Sequence, residues 1–170
     1  MIERHTPPAH GSVVVGVDGS EQARHALAVA LRLARGIRAA CHVVHTWSYP
    51  TMAMAAPVYV PPVAFEDVTP RHRLWLDKVL AEAPTEGVVV TREVRQGPAG
   101  PALVQVAAEL DAPFLIVGSV GHGAVIGTLL GSVSQHCVHH ATCPVVVVPP
   151  ADRALTQSSN GTDAVRSSSK

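Results

Sequence analysis

Lysine is nearly missing from this sequence: Lys78 and Lys170 are the only two among 170 residues. A Walker A loop needs Gly-Lys-Ser/Thr so that the ammonium reaches the β- and γ-phosphates. Neither lysine adjoins a glycine turn, which excludes that class of nucleotide site. Charge of one sign is also lacking, with 13 Lys+Arg against 13 Asp+Glu. A balanced chain has no field that gathers a phosphate backbone or an anionic lipid surface, so nucleic acid and membrane are excluded as general partners. No apolar run approaches the roughly 18 to 20 residues of a membrane span, and Met1 to Pro8 lacks the apolar core of a signal peptide. A cytoplasmic protein is predicted. The three cysteines, Cys41, Cys137 and Cys143, are odd in number and sit in apolar runs, which reads as reduced packing residues rather than a disulfide framework.

What is present is enough apolar residue, 47%, to build one globular domain. The ends differ from the middle. Residues 1–11 carry His, Pro and Gly without periodicity, and residues 151–170 are rich in serine; neither buries enough to offset ordering entropy. Both are expected to be disordered tails around a domain at 12–150.

Within that domain, strand-length apolar runs alternate with segments of helical period. Val13-Val14-Val15-Gly16-Val17 is a β-branched run suited to a strand buried on both faces. From Ser20 onward, Ala23, Ala26, Leu27, Ala30, Leu31 and Ala34 recur at spacings of three and four, with Ser20 or Gly19 as cap and Gly36 as a left-handed end. A second strand is expected over Ala39 to Thr46. Residues 48–69 hold Pro50, Pro57, Pro61 and Pro62, with Pro70 next, and read as a long Pro-rich loop. Its Trp47, Tyr49, Met52, Met54, Val58, Tyr59 and Val60 suit folding back over the sheet, or else a lid or partner contact. Leu76, Val79, Leu80 and Ala83 mark a second helix, and Gly87 to Val94 a third strand. Pro101 suits the first turn of a helix carrying Leu103, Val106, Ala107 and Leu110. Phe114 to Val117, Ser132 to Thr142 and Val145 to Val148 read as strand, helix and strand. This alternation predicts a single doubly wound α/β domain: a five-stranded parallel sheet with helices on both faces. Ligands of such sheets bind beyond the carboxyl ends of the strands, where the winding reverses.

The segment after the fourth strand holds five glycines in fourteen residues, from Gly118 to Gly131. Glycine lets the backbone approach a ligand closely, and a helix start offers unpaired N–H groups to an anion. A structural turn with a serine cap is the alternative. The dinucleotide fingerprint is excluded, since Gly121-x-Gly123 followed by Gly127 is one residue too long and follows the wrong strand. What the segment does contain is Gly-x2-Gly-x9-Gly-Ser, at Gly118, Gly121, Gly131 and Ser132.

With the opening Val15-Gly16-Val17-Asp18-Gly19-Ser20 and the closing Cys143-Pro144-Val145-Val146-Val147-Val148, the chain from about Ser12 to Pro149 resembles the universal stress protein family, in its subgroup with the ATP-binding glycine motif. The resemblance implies an adenine-nucleotide-binding stress sensor or regulator. It places Asp18 on the adenosine part and Thr46 at the adenine edge. Gly118, Gly121, Gly131, Ser132, Val133 and Ser134 would hold ribose and phosphates. The ligand implied is ATP, with Mg²⁺ as its companion ion, or AMP or cyclic AMP. Many ATP-binding members carry Arg at the positions of Val120 and His122. Losing a guanidinium removes a contact of about 1.5 to 3 kcal/mol and favours a less charged nucleotide; His122 restores part of that charge below about pH 6.5.

The resemblance, together with an apolar edge strand at Val145 to Val148, implies a homodimer through the C-terminal strand. Two other functions remain open: a non-nucleotide, chaperone-like dimeric interaction module on the same fold, and an ATP-hydrolysing enzyme. No paired carboxylates occur in the predicted loops and no Gly-x-Ser-x-Gly elbow is present, so no catalytic residue is assigned and at most slow hydrolysis is expected. His136, His139 and His140, with Cys137 and Cys143, have spacings of three and four that share a helix face, but no Cys-x-x-Cys or His-Glu-x-x-His is present; Val133, Cys137 and Ala141 are expected to face the sheet, which leaves the histidines for surface or interface positions.

Overall fold

The computed structural model describes residues 11–48, 68–121 and 130–150. Expectations for the tails, for most of the Pro-rich loop and for His122 therefore lie outside the described residues. Strand β1 (Ser12–Val17) opens the fold, followed by helix α1 (Glu21–Ile37) and strand β2 (Ala40–Trp47). Helix α2 (Thr69–Ala81), strand β3 (Val90–Gln96), helix α3 (Ala99–Glu109), strand β4 (Leu115–Gly118), helix α4 (Ser132–His140) and strand β5 (Val145–Val148) complete it.

All strand pairs are parallel, in the order β3-β2-β1-β4-β5. The chain winds outward from β1 to β3, then crosses to the other side of β1 for β4 and β5. The reversal lies between β1 and β4. Alternation along the strands sends side chains to two cores. Val13, Val15, Cys41, Val43 and Ile116 pack with the alanine and leucine stripe of α1 and with Leu76 of α2. Val14, Val44, Leu115 and Val117 pack with Leu103 and Val106 of α3 and Cys137 of α4. Helices therefore cover both faces. Burying each such branched side chain contributes about 1.5 to 3 kcal/mol. The thiols belong to this packing: burial pushes Cys41 up to about 12 and Cys137 up to about 11, far from a reactive thiolate.

Several boundaries differ from the sequence expectation. Helix α1 begins as foreseen, with Ser20 Oγ accepting the Ala23 N–H at 3.1 Å. It does not end at Gly36. Ile37 packs against the α1 core and carries the helix onward, so Arg38 takes the left-handed turn at φ 55° and donates its N–H to Ala34 O and Arg35 O. Helix α2 starts at Thr69 because Pro70, counted with the loop, supplies the fixed φ of a first helical turn. Strand β3 starts at Val90, since Gly87 is spent on a turn at φ 75°. Helix α4 stops at His140, where Ala141 turns extended three residues before Pro144.

Candidate functional site

A cleft of about 470 Å³ opens at the carboxyl ends of β1, β2 and β4, at the winding reversal. One wall is apolar, made by Val44 of β2, Leu103 of α3 and Val117 of β4. The opposite rim is backbone, from Gly118 to Gly121 and from Leu130 through the start of α4. Strand alternation decides the wall: Val44 and Thr46 share the face toward α3, and Thr46 is half-buried at the cleft.

Asp18 follows β1 directly and is exposed at the cleft. Its Oδ1 accepts the Ser20 N–H at 2.9 Å, a short Asx turn that fixes the carboxylate over the opening. Asp18 is not the cap of α1, because Ser20 is. The other carboxylate oxygen leans over Gly121.

Gly131, with φ −78° and ψ 168°, is the N-cap of α4, and the first intrahelical bond runs from Gln135 N–H to Gly131 O at 3.0 Å. The amides of Ser132, Val133 and Ser134 thus occupy the turn that has no preceding carbonyl to bond. Gly131 N–H donates to Ser119 O at 2.6 Å, which joins the two ends of the glycine segment. Ser134 is buried, and its hydroxyl faces Ser119 O and Gly131 O, each at 2.9 Å. That hydroxyl holds the segment together. Ser132 is exposed at the first helical position.

Electrostatically the cleft has almost no side-chain charge of its own. Asp18 is the one ionisable side chain among its described lining residues. From Gly118 to Gln135 the sequence contains no Lys or Arg and only His122 as a titratable group. Positive potential comes from backbone: the starts of α1, α3 and α4 all reach the cleft, through Ser20, Ala99 and Ser132. The structure therefore brings together Asp18, Thr46, Gly118, Gly121, Gly131, Ser132, Val133 and Ser134.

Ser119 was missed by the motif, although its carbonyl is the acceptor on which the segment closes and its N–H is tied to Val148 O at 2.8 Å. Only the x positions of the glycine pattern point to it. The apolar wall was also missed, and alternation in β2 was the available signal. On α4, His140 Nδ1 donates to His136 O at 2.9 Å and the two rings stack at 4.2 Å. Among the described residues no group of three or more His, Cys, Asp or Glu is placed to hold a metal ion. No helix among them is long and apolar enough to cross a membrane.

The model of the universal stress protein family matches residues 10–149. A universal stress protein of Thermus aquaticus is 33% identical over 143 residues, covering 81% of this chain and 97% of its own length. Universal stress protein Rv2005c of Mycobacterium tuberculosis is 36% identical over 147 residues, 82% of this chain. The chain spans about half the length of that mycobacterial relative, 46%. Among solved structures, a universal stress protein in complex with cAMP superposes with a TM-score of 0.55 at 26% identity, covering 81% of this chain and 94% of the other. A universal stress protein from Archaeoglobus fulgidus gives 0.61 at 21% identity, covering 81% and 97%, and shares the fold.

Proposed function

The chain belongs to the universal stress protein family, and from that premise we propose that its cleft binds an adenine nucleotide whose occupancy is the signal a stress response reads. The observation that carries this reading is the opposition of two surfaces: an apolar wall of Val44, Leu103 and Val117, and the free amides of Ser132, Val133 and Ser134. The wall suits a purine, with Thr46 offering backbone at its edge. Asp18 is a strong acceptor for ribose hydroxyls. The amides and the α4 dipole take the phosphate. Gly118, Gly121 and Gly131 keep that approach free of side chains.

Charge favours a nucleotide with one phosphate, and cyclic AMP over ATP. A polyphosphate brings several negative charges past the Asp18 carboxylate with no guanidinium or ammonium to meet them, whereas a cyclic phosphodiester brings one. ATP then enters with Mg²⁺ neutralising its tail. The cAMP-bound relative supports the same choice. Binding rather than turnover is the event the cleft serves. It shifts the chain between ligand-free and ligand-bound states by the difference in affinity between them. In the assembly, β5 pairs with its symmetry copy.

Calorimetric titration of adenosine, cyclic AMP, AMP and ATP with and without Mg²⁺ tests the reading. Cyclic AMP is expected to bind more tightly than adenosine and than ATP. Absence of heat and of any shift in glycine amide resonances with all four ligands at millimolar concentration overturns it.

A further inference from the structure

On the face of the sheet opposite the cleft, two histidines meet end to end. His45 of β2 is buried; its Nδ1 lies 2.9 Å from Val17 O and its Nε2 lies 2.8 Å from His72 Nδ1 of α2. A carbonyl only accepts, so His45 Nδ1 carries the hydrogen and, in the neutral ring, Nε2 does not. His72 Nδ1 must therefore be the donor to His45. The ring of His72 stacks on Trp47 at 5.6 Å with planes 7° apart, and Trp75, one turn on, packs on His45 at 4.4 Å. Trp75 also closes over the turn after β1. Gly19 sits there at φ 89°, and a Cβ on it would come within 2.9 Å of the indole. The start of α2 is thus pinned to Val17 and Gly19, the residues on either side of Asp18.

We propose that the His45–His72 pair is an acid-sensitive clamp on the Val17–Gly19 turn, and that its release at low pH lowers ligand affinity in the cleft. The part concerning affinity rests on the nucleotide reading above; the clamp itself does not. One extra proton is tolerated, because it can sit on His72 Nε2 and leave the His72 Nδ1–H bond to His45 Nε2 in place. A second proton puts two N–H groups head to head between two cations, and the contact is lost.

The surroundings favour the neutral pair. Against it stand the Val17 carbonyl from β1, apolar Val94 beside His45 in β3, and the cationic Arg71 on α2. Asp18, the acidic group of the turn, is tied to Ser20 N–H. Burial, then His45 and Arg71, lower the His72 pKa. A histidine whose folded pKa is lowered stabilises the fold fully above the unfolded value of about 6.5, and that contribution is lost as pH falls below it.

Trp47 and Trp75 are the only tryptophans of the chain, and each touches one ring of the pair. Indole fluorescence of the intact, ligand-free chain therefore reports the clamp. Between about pH 8 and pH 5 the emission is expected to weaken and shift to the red while the far-ultraviolet dichroism stays native. His72→Gln keeps a donor to His45 but cannot titrate, and is expected to lose the red shift; His140→Gln is expected to keep it. Imidazole NMR spectra of the unmutated chain give the ring titrations directly, and His72 should titrate below the ordinary histidine range. Unchanged fluorescence across the range, or a wild-type transition in His72→Gln, overturns the clamp.

Cyclic AMP affinity at about pH 7.5 and about pH 5.5 tests the coupling, with a loss of at least about fivefold expected in wild type and not in His72→Gln. Equal affinity at both pH values, with the fluorescence transition present, overturns the coupling. No binding at neutral pH sinks the nucleotide reading and the coupling with it, while the fluorescence still decides the clamp.

Discussion

Asp18 and Gly121 compete for one volume: a Cβ on residue 121 would lie 2.6 Å from Asp18 Oδ2. Gly121 does not sit in the left-handed region, so alanine is permitted by the backbone and the conflict is one of space alone. Gly121→Ala is expected to push the carboxylate off the cleft and weaken cyclic AMP binding at least about tenfold. The melting temperature should move by less than about 2 °C, because the displaced group is exposed. Calorimetry and thermal unfolding measure the two effects. Gly131→Ala is the contrast, since its Cβ meets Ser119 O and the Val120 Cα at 3.5 Å, an ordinary contact. Wild-type affinity in Gly121→Ala would remove Asp18 from the ligand site.

Val120 is half-buried on the cleft rim, where Asp18 is the one charge among the described lining residues. Val120→Arg adds a guanidinium that can meet outer phosphates, a contact of about 1.5 to 3 kcal/mol, or roughly 10- to 150-fold in affinity. The gain should appear for ATP and be much smaller for cyclic AMP. Parallel titrations of the two nucleotides check it, and equal gains for both would show that net charge is not what selects the ligand.

Ser134 closes the glycine segment through a buried hydroxyl. Ser134→Ala removes the buried hydroxyl bond to Ser119 O and is expected to cost about 1 to 2 kcal/mol, a fall of about 2 to 8 °C in melting temperature. Ligand affinity is expected to fall as well, because one of the two bonds that hold the start of α4 to Ser119 O is gone. Ser132→Ala, at an exposed position, should stay within about 0.5 kcal/mol. Denaturant unfolding of both variants separates them; equal stabilities would show that the hydroxyl carries no structural share.

How far the sequence carried depended on the range of the interactions involved. β1, β5 and the body of α1 were legible because their residue patterns are local properties: a run of valines suits a strand, and alanines and leucines at spacings of three and four suit an amphipathic helix. The cleft residues from Asp18 to Ser134 were legible through the resemblance, and the fold brings all the described ones together. The end of α1 was not, since Gly36 satisfied the local rule while Ile37, held by residues far along the chain, decided the outcome. Ser134 shows the same limit within the site. A serine at a helix start reads as a phosphate ligand, and only the fold reveals that its hydroxyl is already committed to Ser119. The His45–His72 contact joins residues 27 apart across the Pro-rich segment and has no sequence signature.

Strand β5 lies at one margin of the sheet with Val145, Val146 and Val147 only partly buried. Its pairing with β4 fixes which backbone groups remain available. Pro144 O and Val148 O accept from Leu115 N–H and Ser119 N–H, so even-numbered positions point inward and Val145 and Val147 point their N–H groups to the open side. A proline at 147 therefore deletes an outward donor while leaving the β4 ladder whole. If β5 joins its symmetry copy, light scattering at about 10 μM should give twice the 17.8 kDa chain mass for wild type and a single chain mass for Val147→Pro. A wild-type protein that scatters as one chain would end the dimer proposal and leave this strand margin to some other partner, while Val147→Pro remaining dimeric would move the interface elsewhere on the molecule.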